Sequence, residues 1–330
     1  EGLAPRPRDV VDQAITLVAT RRDGGGERRF VGIVTEAERA FELDGRVVLR
    51  LVAESELFAL TKRADCRIFQ DQSPTDIVKA VLAGAGIPAG RQMWHANGGK
   101  DARAYVVQYR ETDLAFVERL LSEVGIWYVV LSNAAGDDTI HFGDAGDGLE
   151  PADPQTMPYG PGFGFEGWDA QVLGIERRER VRSDEVFTRG YLPAHPAAKV
   201  EGKAKSSDDR PPSLEVYAWP ARAETEGVAK RRAEVLAEQL GLDRVEVEGR
   251  CSAIGLRPGQ RFKLDGRPLD AMNEIYVVRR SVLSGSPPDA GTHDAQDGGQ
   301  LTSDASFLAS PTKRVALRPP RLAPAQPIAG

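Results

Sequence analysis

The first 54 residues alternate between short strand-like segments and glycine turns, a pattern that favours strands pairing with their sequence neighbours. Residues 14–20 and 29–38 are rich in apolar and β-branched side chains, with three consecutive glycines between them. An Asp-Gly pair then precedes residues 46–54, in which side chains of the two faces alternate. Such spacing is typical of hairpins. Since free strand edges must pair or close, we expect a mainly β meander or barrel.

Three segments carry helix signals within this β background. Ser73 is a candidate N-cap, and Pro74 occupies the first helical position, where its missing N–H costs nothing. Thr112 caps a second helix, whose apolar stripe ends at Gly125, a residue type that favours the left-handed conformation after a helix. Residues 225–240 predict a third helix that is rich in alanine and charge.

More strands are predicted after the second helix, at residues 126–131, 139–142, 171–182, 185–191, 244–251 and 273–283. The polar stretch 199–212 is expected to interrupt them. Residues 133–176 contain acidic residues but neither Lys nor Arg, and we expect a solvated loop region there. An acidic surface facing a partner or a lumen is the alternative.

The composition argues against several functional classes. The chain of 330 residues carries 43 basic and 49 acidic residues, and its formal net charge of −6 disfavours a general binder of nucleic acid or of anionic membranes. No apolar run approaches the length of a membrane-spanning helix, and the N-terminus does not resemble a signal peptide. The length favours more than one domain. Because the first residue is not Met, we expect a fragment.

No catalytic, cofactor-binding or metal-binding residue is predicted. None of the histidines has a second ligand at the spacing of known zinc motifs. They are His95, His141, His195 and His293. A zinc site assembled from distant positions is the alternative. Cys66 and Cys251 lie in strand-like segments, so we expect buried, inert thiols and no disulfide framework, which fits synthesis in a reducing compartment.

The glycine-rich segments do not match nucleotide-binding loops. Residues 24–26 lack the Lys-Ser/Thr of a phosphate loop and are interpreted as a hairpin turn. Residues 159–165 (YGPGFGF) precede no helix and are interpreted as a turning loop with aromatic plugs. A rival hypothesis is an envelope-degrading hydrolase with a site on residues 144–169. That site would need two carboxylates about 5 to 10 Å apart.

Two long blocks, in fixed order, carry a family resemblance. The first comprises LFAL at 57–60, CRIFQ at 66–70 and SPTDIVKAVL at 73–82, and FVGIVTEA at 30–37 precedes it. The second comprises YVVQYRETDLAFVERLL at 105–121 and EVGIWY at 123–128. Over roughly residues 14–283 the chain resembles the VgrG spike proteins of type VI secretion systems, which are related to the hubs of contractile phage tails. It departs from them in a reduced tryptophan block and in Asp71, where Asn is expected.

The resemblance implies a mainly β fold with inserted α+β segments and two phage-hub-like barrel domains. The implied division is a first hub barrel at 1–65 with a truncated start, an α+β insert with two helices at 66–165, and a second hub barrel with one helix at 166–283. Residues 284–330 are acidic and then proline-rich. We expect a flexible linker there, because such a segment cannot bury a core of its own. In the family it would lead to an OB-fold and a β-helix needle.

The resemblance also implies a mechanical function without an active site. Three chains would form a homotrimer whose six barrels sit as a ring on a hexameric inner-tube protein. The other implied partners are baseplate proteins, effectors or adaptors, and a tip-sharpening protein on the needle. The protein would be made in the bacterial cytoplasm and delivered into target cells without a signal peptide. The alternative is the hub or spike of a phage tail, a tailocin or an extracellular contractile injection system.

Overall fold

Short strands dominate the computed structural model of this chain. The described residues are 5–20, 27–41, 47–132, 138–144, 146, 148–160, 170–192, 195–206, 213–221, 223–266, 270–285, 304–313 and 315–320. The strands are β1 Ala14–Thr20, β2 Glu27–Phe41, β3 Val47–Glu54, β4 Ala64–Gln72, β5 Gln92–Trp94, β6 Arg103–Thr112, β7 Ile126–Ser132, β8 Asp138–Asp144, β9 Glu150–Pro158, β10 Val172–Glu179, β11 Glu185–Gly190, β12 Val200–Lys205, β13 Glu215–Ala218, β14 Val245–Cys251, β15 Gln260–Asp265, β16 Ile275–Ser284 and β17 Asp304–Pro311. The helices are α1 Pro7–Val10, α2 Phe58–Thr61, α3 Pro74–Gly84, α4 Asp113–Val124 and α5 Glu226–Leu240, with 3₁₀ turns at Ala89–Arg91 and Asp270–Met272. The prediction of a mainly β chain is confirmed.

The strands form four structural units. The first sheet has the order β1-β2-β3, and both of its ladders are antiparallel. The inserted unit combines the ribbon β4-β6 and the sheet β5-β8-β7 with helices α2, α3 and α4. The helix-backed sheet has the order β12-β11-β13 and carries α5 on one face. The hub sheet has six strands in the order β10-β14-β17-β16-β15-β9.

The predicted helix ends are confirmed, because they depend on local chemistry. The Ser73 hydroxyl accepts a hydrogen bond from the Asp76 N–H at 3.2 Å. Thr112 caps α4 in the same way through the Ala115 N–H. Gly125 follows α4 with a φ of 75°, in the left-handed region that favours glycine. The capping residue of α5 is Thr225, as the sequence predicts.

The core of the inserted unit lies between its helices and its three-stranded sheet. The largest fully buried side chains there include Phe116, Leu120 and Phe142. Leu57 and Leu60, at the α2 turn, pack into the same core. Packing into this core thus begins near α2, a few residues before the predicted boundary at 65 and 66. The reason is that the apolar side chains of the α2 turn pack into the core of the inserted unit and not against the strands that precede the turn.

The hub sheet curls until its outer strands touch. Tyr159, just after β9, forms an isolated parallel bridge with Val172 of β10, and the Gly160 N–H donates to the Val172 carbonyl at 3.0 Å. Inside lie apolar side chains from every strand, among them Met157, Phe262 and Tyr276. Within the described residues, neither this sheet nor the first sheet closes through a continuous ladder.

The prediction of a flexible linker over 284–330 is wrong for β17. This strand lies in the middle of the hub sheet, hydrogen-bonded to β14 on one side and β16 on the other. Its alternate side chains Ala305, Phe307 and Ala309 are buried in the sheet core. The polar composition around the strand concealed a short period-two pattern, which is all that a central strand needs in order to pack.

Two more predictions are corrected by strand pairing. β9 pairs in parallel with β15, so residues 150–158 belong to the hub sheet, although they precede the predicted boundary at 165. These residues also make a strand within the stretch expected to be a solvated loop. β12 lies within the polar stretch 199–212 and pairs with β11. The strand tolerates its charged residues because only its inner side is covered by α5.

Small residues allow α5 to lie close to the helix-backed sheet. Ala229, Ala233 and Ala237 recur every four residues and are all buried. A methyl group added to Gly202 of β12 would come within 2.2 Å of the Ala229 carbonyl oxygen. The helix and the strand therefore touch backbone to backbone, and a side chain at residue 202 would force them apart.

Candidate interaction surfaces

The residue types used most often for metal binding do not converge in the described part of the chain. The parallel pairing of β5 with β8 brings His95 beside His141, with ring centroids 5.7 Å apart. His195 follows β11 in another unit, and His293 lies outside the described residues. No group of three or more His, Cys, Asp or Glu side chains is close enough to hold a metal ion among the residues described here.

His141 has a perturbed titration. Its pKa is lowered, first because partial burial disfavours the charged ring, while Glu150 opposes this effect and His95 and Arg257 reinforce it. The Thr139 hydroxyl lies 3.1 Å from its Nε2 atom. The surroundings of His141 therefore favour its neutral imidazole.

The two cysteines lie in different environments. Cys251 is buried in the hub sheet, whereas Cys66 is exposed on β4, so the prediction of two buried thiols is wrong for Cys66. The ribbon β4-β6 has helices on one face only, and Cys66 shares the other face with Ile68 and Tyr105, which are 60% and 56% exposed. The sequence pattern indicates a strand there but not which of its faces is covered.

Part of the segment proposed for a hydrolase site is a β-strand and not a loop. Residues 150–158 form β9 of the hub sheet. The glycine-rich part at 161–169 lies outside the described residues. Residues 150–158 therefore supply a sheet strand in place of the loop that the hydrolase hypothesis assumes.

The first sheet exposes large apolar side chains. Phe41, Leu17 and Val52 are 73%, 62% and 48% exposed. Arg28 anchors this sheet to the hub unit by donating to the Leu256 carbonyl at 3.0 Å. Its pKa is lowered to about 10, because burial removes water from the guanidinium and Arg257 adds repulsion. This sheet has apolar residues on both faces, but only one face is covered. An uncovered apolar face is typical of a surface that binds a partner.

A second exposed surface lies on the outer face of the helix-backed sheet. The Phe187 and Tyr217 rings stack with centroids 5.7 Å apart, and Trp219 beside them is 56% exposed. Ion pairs flank these rings, with Lys203 bound to Glu185 and Arg189 bound to Glu201. Lys203 lowers the pKa of Glu185 chiefly through their hydrogen bond. Exposed Tyr, Trp and Arg are the residue types enriched at protein interfaces.

A groove of 2090 Å³ separates the inserted unit from α5. Tyr105 and Tyr109 of β6 line one wall, and Val228 and Val235 of α5 line the other. Arg318, from the segment that follows β17, also lines it. The groove is therefore a junction of three separate parts of the chain.

Ion pairs hold the walls of this groove together. Glu123 of α4 receives Arg103 of β6 at 2.5 Å and Arg232 of α5 at 3.5 Å. Arg231 of α5 reaches Asp101 at 2.7 Å. Of the two pairs that reach α5, Arg232–Glu123 is mostly shielded from water, so it fixes the relative position of the walls more than the exposed Arg231–Asp101 pair does.

Sequence reasoning did not identify these surfaces. The one signal available was in β3, where Val47, Leu51 and Val52 are apolar on both faces of a strand that has only one covered face. No described helix is long and apolar enough to cross a membrane. The exposed faces of the first sheet and of the helix-backed sheet, with the groove beside α5, are therefore the candidate interaction surfaces among the described residues.

The comparison with protein families identifies the architecture. Residues 3–288 match the family described as phage tail baseplate hub (GPD). The chain belongs to this hub family. The match spans the first sheet, the inserted unit, the helix-backed sheet and the hub sheet as far as β16. The resemblance found in the two sequence blocks is thus confirmed.

Several relatives of this hub chain are named as spike proteins. The type VI secretion system spike protein VgrG1b of Pseudomonas aeruginosa is 28% identical over 278 residues, which cover 77% of this chain and 34% of the relative. The spike protein VgrG3 of Vibrio cholerae is 26% identical, over 89% of this chain and 29% of the relative. The hub chain thus spans about a third of the length of these relatives.

A solved structure of a hub-like protein has the same fold. The Escherichia coli protein described as a type VI secretion component similar to the bacteriophage T4 tail proteins gp27 and gp5 superimposes with a TM-score of 0.68. It shares 19% sequence identity, and the alignment covers 96% of this chain and 69% of that chain. The hub-like fold class predicted from the sequence is therefore confirmed.

Proposed function

We propose that this chain is the structural head of a type VI secretion spike. It would sit on the inner tube and carry a puncturing tip and effectors into target cells, and it would catalyse no reaction itself. The family match over residues 3–288 is the observation that carries this proposal, together with relatives that are named as spike proteins. The chain spans only about a third of those relatives, so the activity and partners of the whole protein are part of this proposal.

The proposed assembly is a homotrimer. A threefold ring uses two different patches on each chain, since every subunit contacts its neighbour in a head-to-tail manner. The exposed apolar side of the first sheet is one suitable patch. The hexameric inner-tube protein, baseplate proteins, effectors or adaptors and a tip-sharpening protein are the other proposed partners. The protein would pass from the cytoplasm of the producing cell into the target cell.

The second candidate is the hub of a phage tail or of a related contractile particle. The family description itself, phage tail baseplate hub, favours this candidate. Both functions use the same fold, so the fold cannot separate them. An experiment on the producing cell is needed to decide between them.

Deleting the parent gene tests both candidates. A type VI spike predicts that the inner-tube protein disappears from the culture medium and that killing of neighbouring cells stops. A phage hub predicts instead the loss of tailed particles that carry packaged DNA after induction. Reintroducing the complete gene is the control. Unchanged release of tube protein and of particles would contradict both candidates.

A further inference from the structure

The segment that follows β17 is anchored to two structural units. We call residues 315–320 the strap. Val315 is buried against Leu242 and Val245, at the end of α5 and the start of β14. Leu317 packs against the cluster formed by Trp127 of the inserted unit and Val277 of the hub sheet. Apolar contacts thus hold the strap across the junction of the units.

Polar contacts fix the far end of the strap. The Arg318 guanidinium binds the Glu238 carboxylate of α5 at 2.5 Å and donates to the Gly125 carbonyl after α4 at 3.0 Å. The Ser122 hydroxyl donates to the Pro320 carbonyl at 3.0 Å. Gln239 of α5 donates to the Ser122 carbonyl at 2.8 Å, so the two helices and the strap form one network.

The local fold leaves room for this contact. Gly125 has a φ of 75°, and a methyl group there would lie 3.1 Å from an Arg318 nitrogen and 2.8 Å from the Val235 side chain. The Arg318 side chain is 14% exposed, so its ion pair with Glu238 is shielded from water. A shielded, charge-assisted contact is stronger than a surface pair.

Upstream of the strap, β17 is held from both sides. Its residues pair with β14 from Val247 to Cys251 and with β16 from Tyr276 to Ser284. Thr312 extends the hold through a hydrogen bond from its N–H to the Ile275 carbonyl at 2.9 Å. A strand in this position leaves the sheet only when two antiparallel ladders break.

We propose that β17 and the strap form a mechanical clamp. Tension applied to the chain beyond Pro320 meets the strap first and the two ladders second, and the strap shares that tension between the inserted unit and the hub sheet. The source of the tension rests on the proposed function, because a tip carried by the spike head meets resistance at the target envelope. The clamp itself is a property of this chain and is tested without a secretion system.

Single-molecule force spectroscopy on the full chain, held by tags at both ends, tests the clamp. The first unfolding event should release residues 304–320 against a distinct force, with a gain in contour length of about 60 Å for about 17 residues. In Arg318→Ala the force of this event should fall by at least about a third, because a charge-assisted hydrogen bond is about twice as strong as a neutral one. The control is Arg189→Ala, which removes an ion pair with Glu201 far from the strap and should leave the event unchanged.

A second variant guards against an Arg318→Ala chain that does not fold. Ser122→Ala removes the hydroxyl that binds Pro320 and should lower the same force by a smaller amount. Equal forces in wild type and in both variants would overturn the clamp, as would release of residues 304–320 without a force peak. The gene-deletion result does not depend on this measurement, so the clamp and the proposed function can fail separately.

Discussion

Leu120 lies on the buried face of α4 and has no exposed surface. It shares the core of the inserted unit with Val117 and Leu121, which are also buried. The apolar stripe of this helix is readable in the sequence, because the spacing of three and four residues fixes which side chains share a face. The contacts of that face with α3 are not readable, since they depend on residues about forty positions earlier.

Truncating this side chain should cost a large part of the stability of the inserted unit. For Leu120→Ala we expect a loss of about 2 to 5 kcal/mol in the free energy of unfolding, through lost apolar burial and the cavity left behind. Leu17→Ala removes a side chain that is 62% exposed and should change it by less than about 0.5 kcal/mol. Urea denaturation of both variants measures the difference, and equal losses would show that Leu120 lies on an uncovered face.

A pH dependence follows from His141. Its pKa in the folded chain lies below the ordinary value of 6.5, so the unfolded chain binds this proton more readily. The contribution of the neutral ring to stability is therefore complete above that ordinary value and is lost as the pH falls through it towards the folded pKa. His141→Gln should flatten the rise of the unfolding free energy as the pH increases from the folded pKa towards 6.5. Denaturant titrations at several pH values measure this slope, and an unchanged slope contradicts the assignment.

At the scale of elements, β17 marks the limit of sequence reasoning. The helices are predictable because their caps and stripes lie within a few neighbouring residues, as Ser73 and Gly125 illustrate. β17 finds its partners in β14 and β16, and one of these lies more than fifty residues earlier. Its alternation of small and apolar residues is too short to outweigh the polar sequence around it. The candidate interaction surfaces could not be predicted for the same reason. Whether a face of a strand is covered depends on elements that are distant in the sequence.

The central position of β17 predicts how truncation acts. A chain ending at residue 283 lacks the strand between β14 and β16 and exposes both of their inner edges, so it should aggregate or unfold without cooperativity. A chain ending at residue 320 retains both ladders and the strap and should unfold cooperatively. Circular dichroism during heating, with light scattering for aggregation, compares the two. A stable, cooperative chain ending at 283 would contradict the assigned role of β17.

On the scale of the whole molecule, the four units have separate main cores and meet through smaller contacts, some apolar, as between Trp127 and Val277, and some polar. Arg28 joins the first sheet to the hub unit, and the Val31 N–H donates to the Ser132 hydroxyl of the inserted unit at 3.3 Å. The buried clusters remain separate from one another. Contacts of this kind fix orientation while leaving wide outer faces available for neighbouring subunits.

The exposed face of the first sheet leads to a prediction about assembly. At micromolar concentration we expect this chain to be monomeric or weakly trimeric, because much of the subunit contact in a spike is expected in its needle. Phe41→Asp places a charge on a side chain that is 73% exposed and should remove the weak trimer without loss of folding. Val181→Asp, at a position 57% exposed outside the first sheet, is the matched control. Sedimentation that detects a stable dimer, or a tight trimer at nanomolar concentration, would contradict this assembly.

Because β17 is made after both of its neighbours in the sheet, its central position also affects how the chain folds during synthesis. β14 and β16 leave the ribosome first, and the space between them stays open until residue 311 has emerged. Bacterial ribosomes add roughly 5 to 20 residues each second, so this interval lasts seconds, during which the apolar interior is unfinished. A nascent chain is therefore prone to aggregate during this interval, and it offers its neighbours a completed hub sheet only after its last described strand has been made.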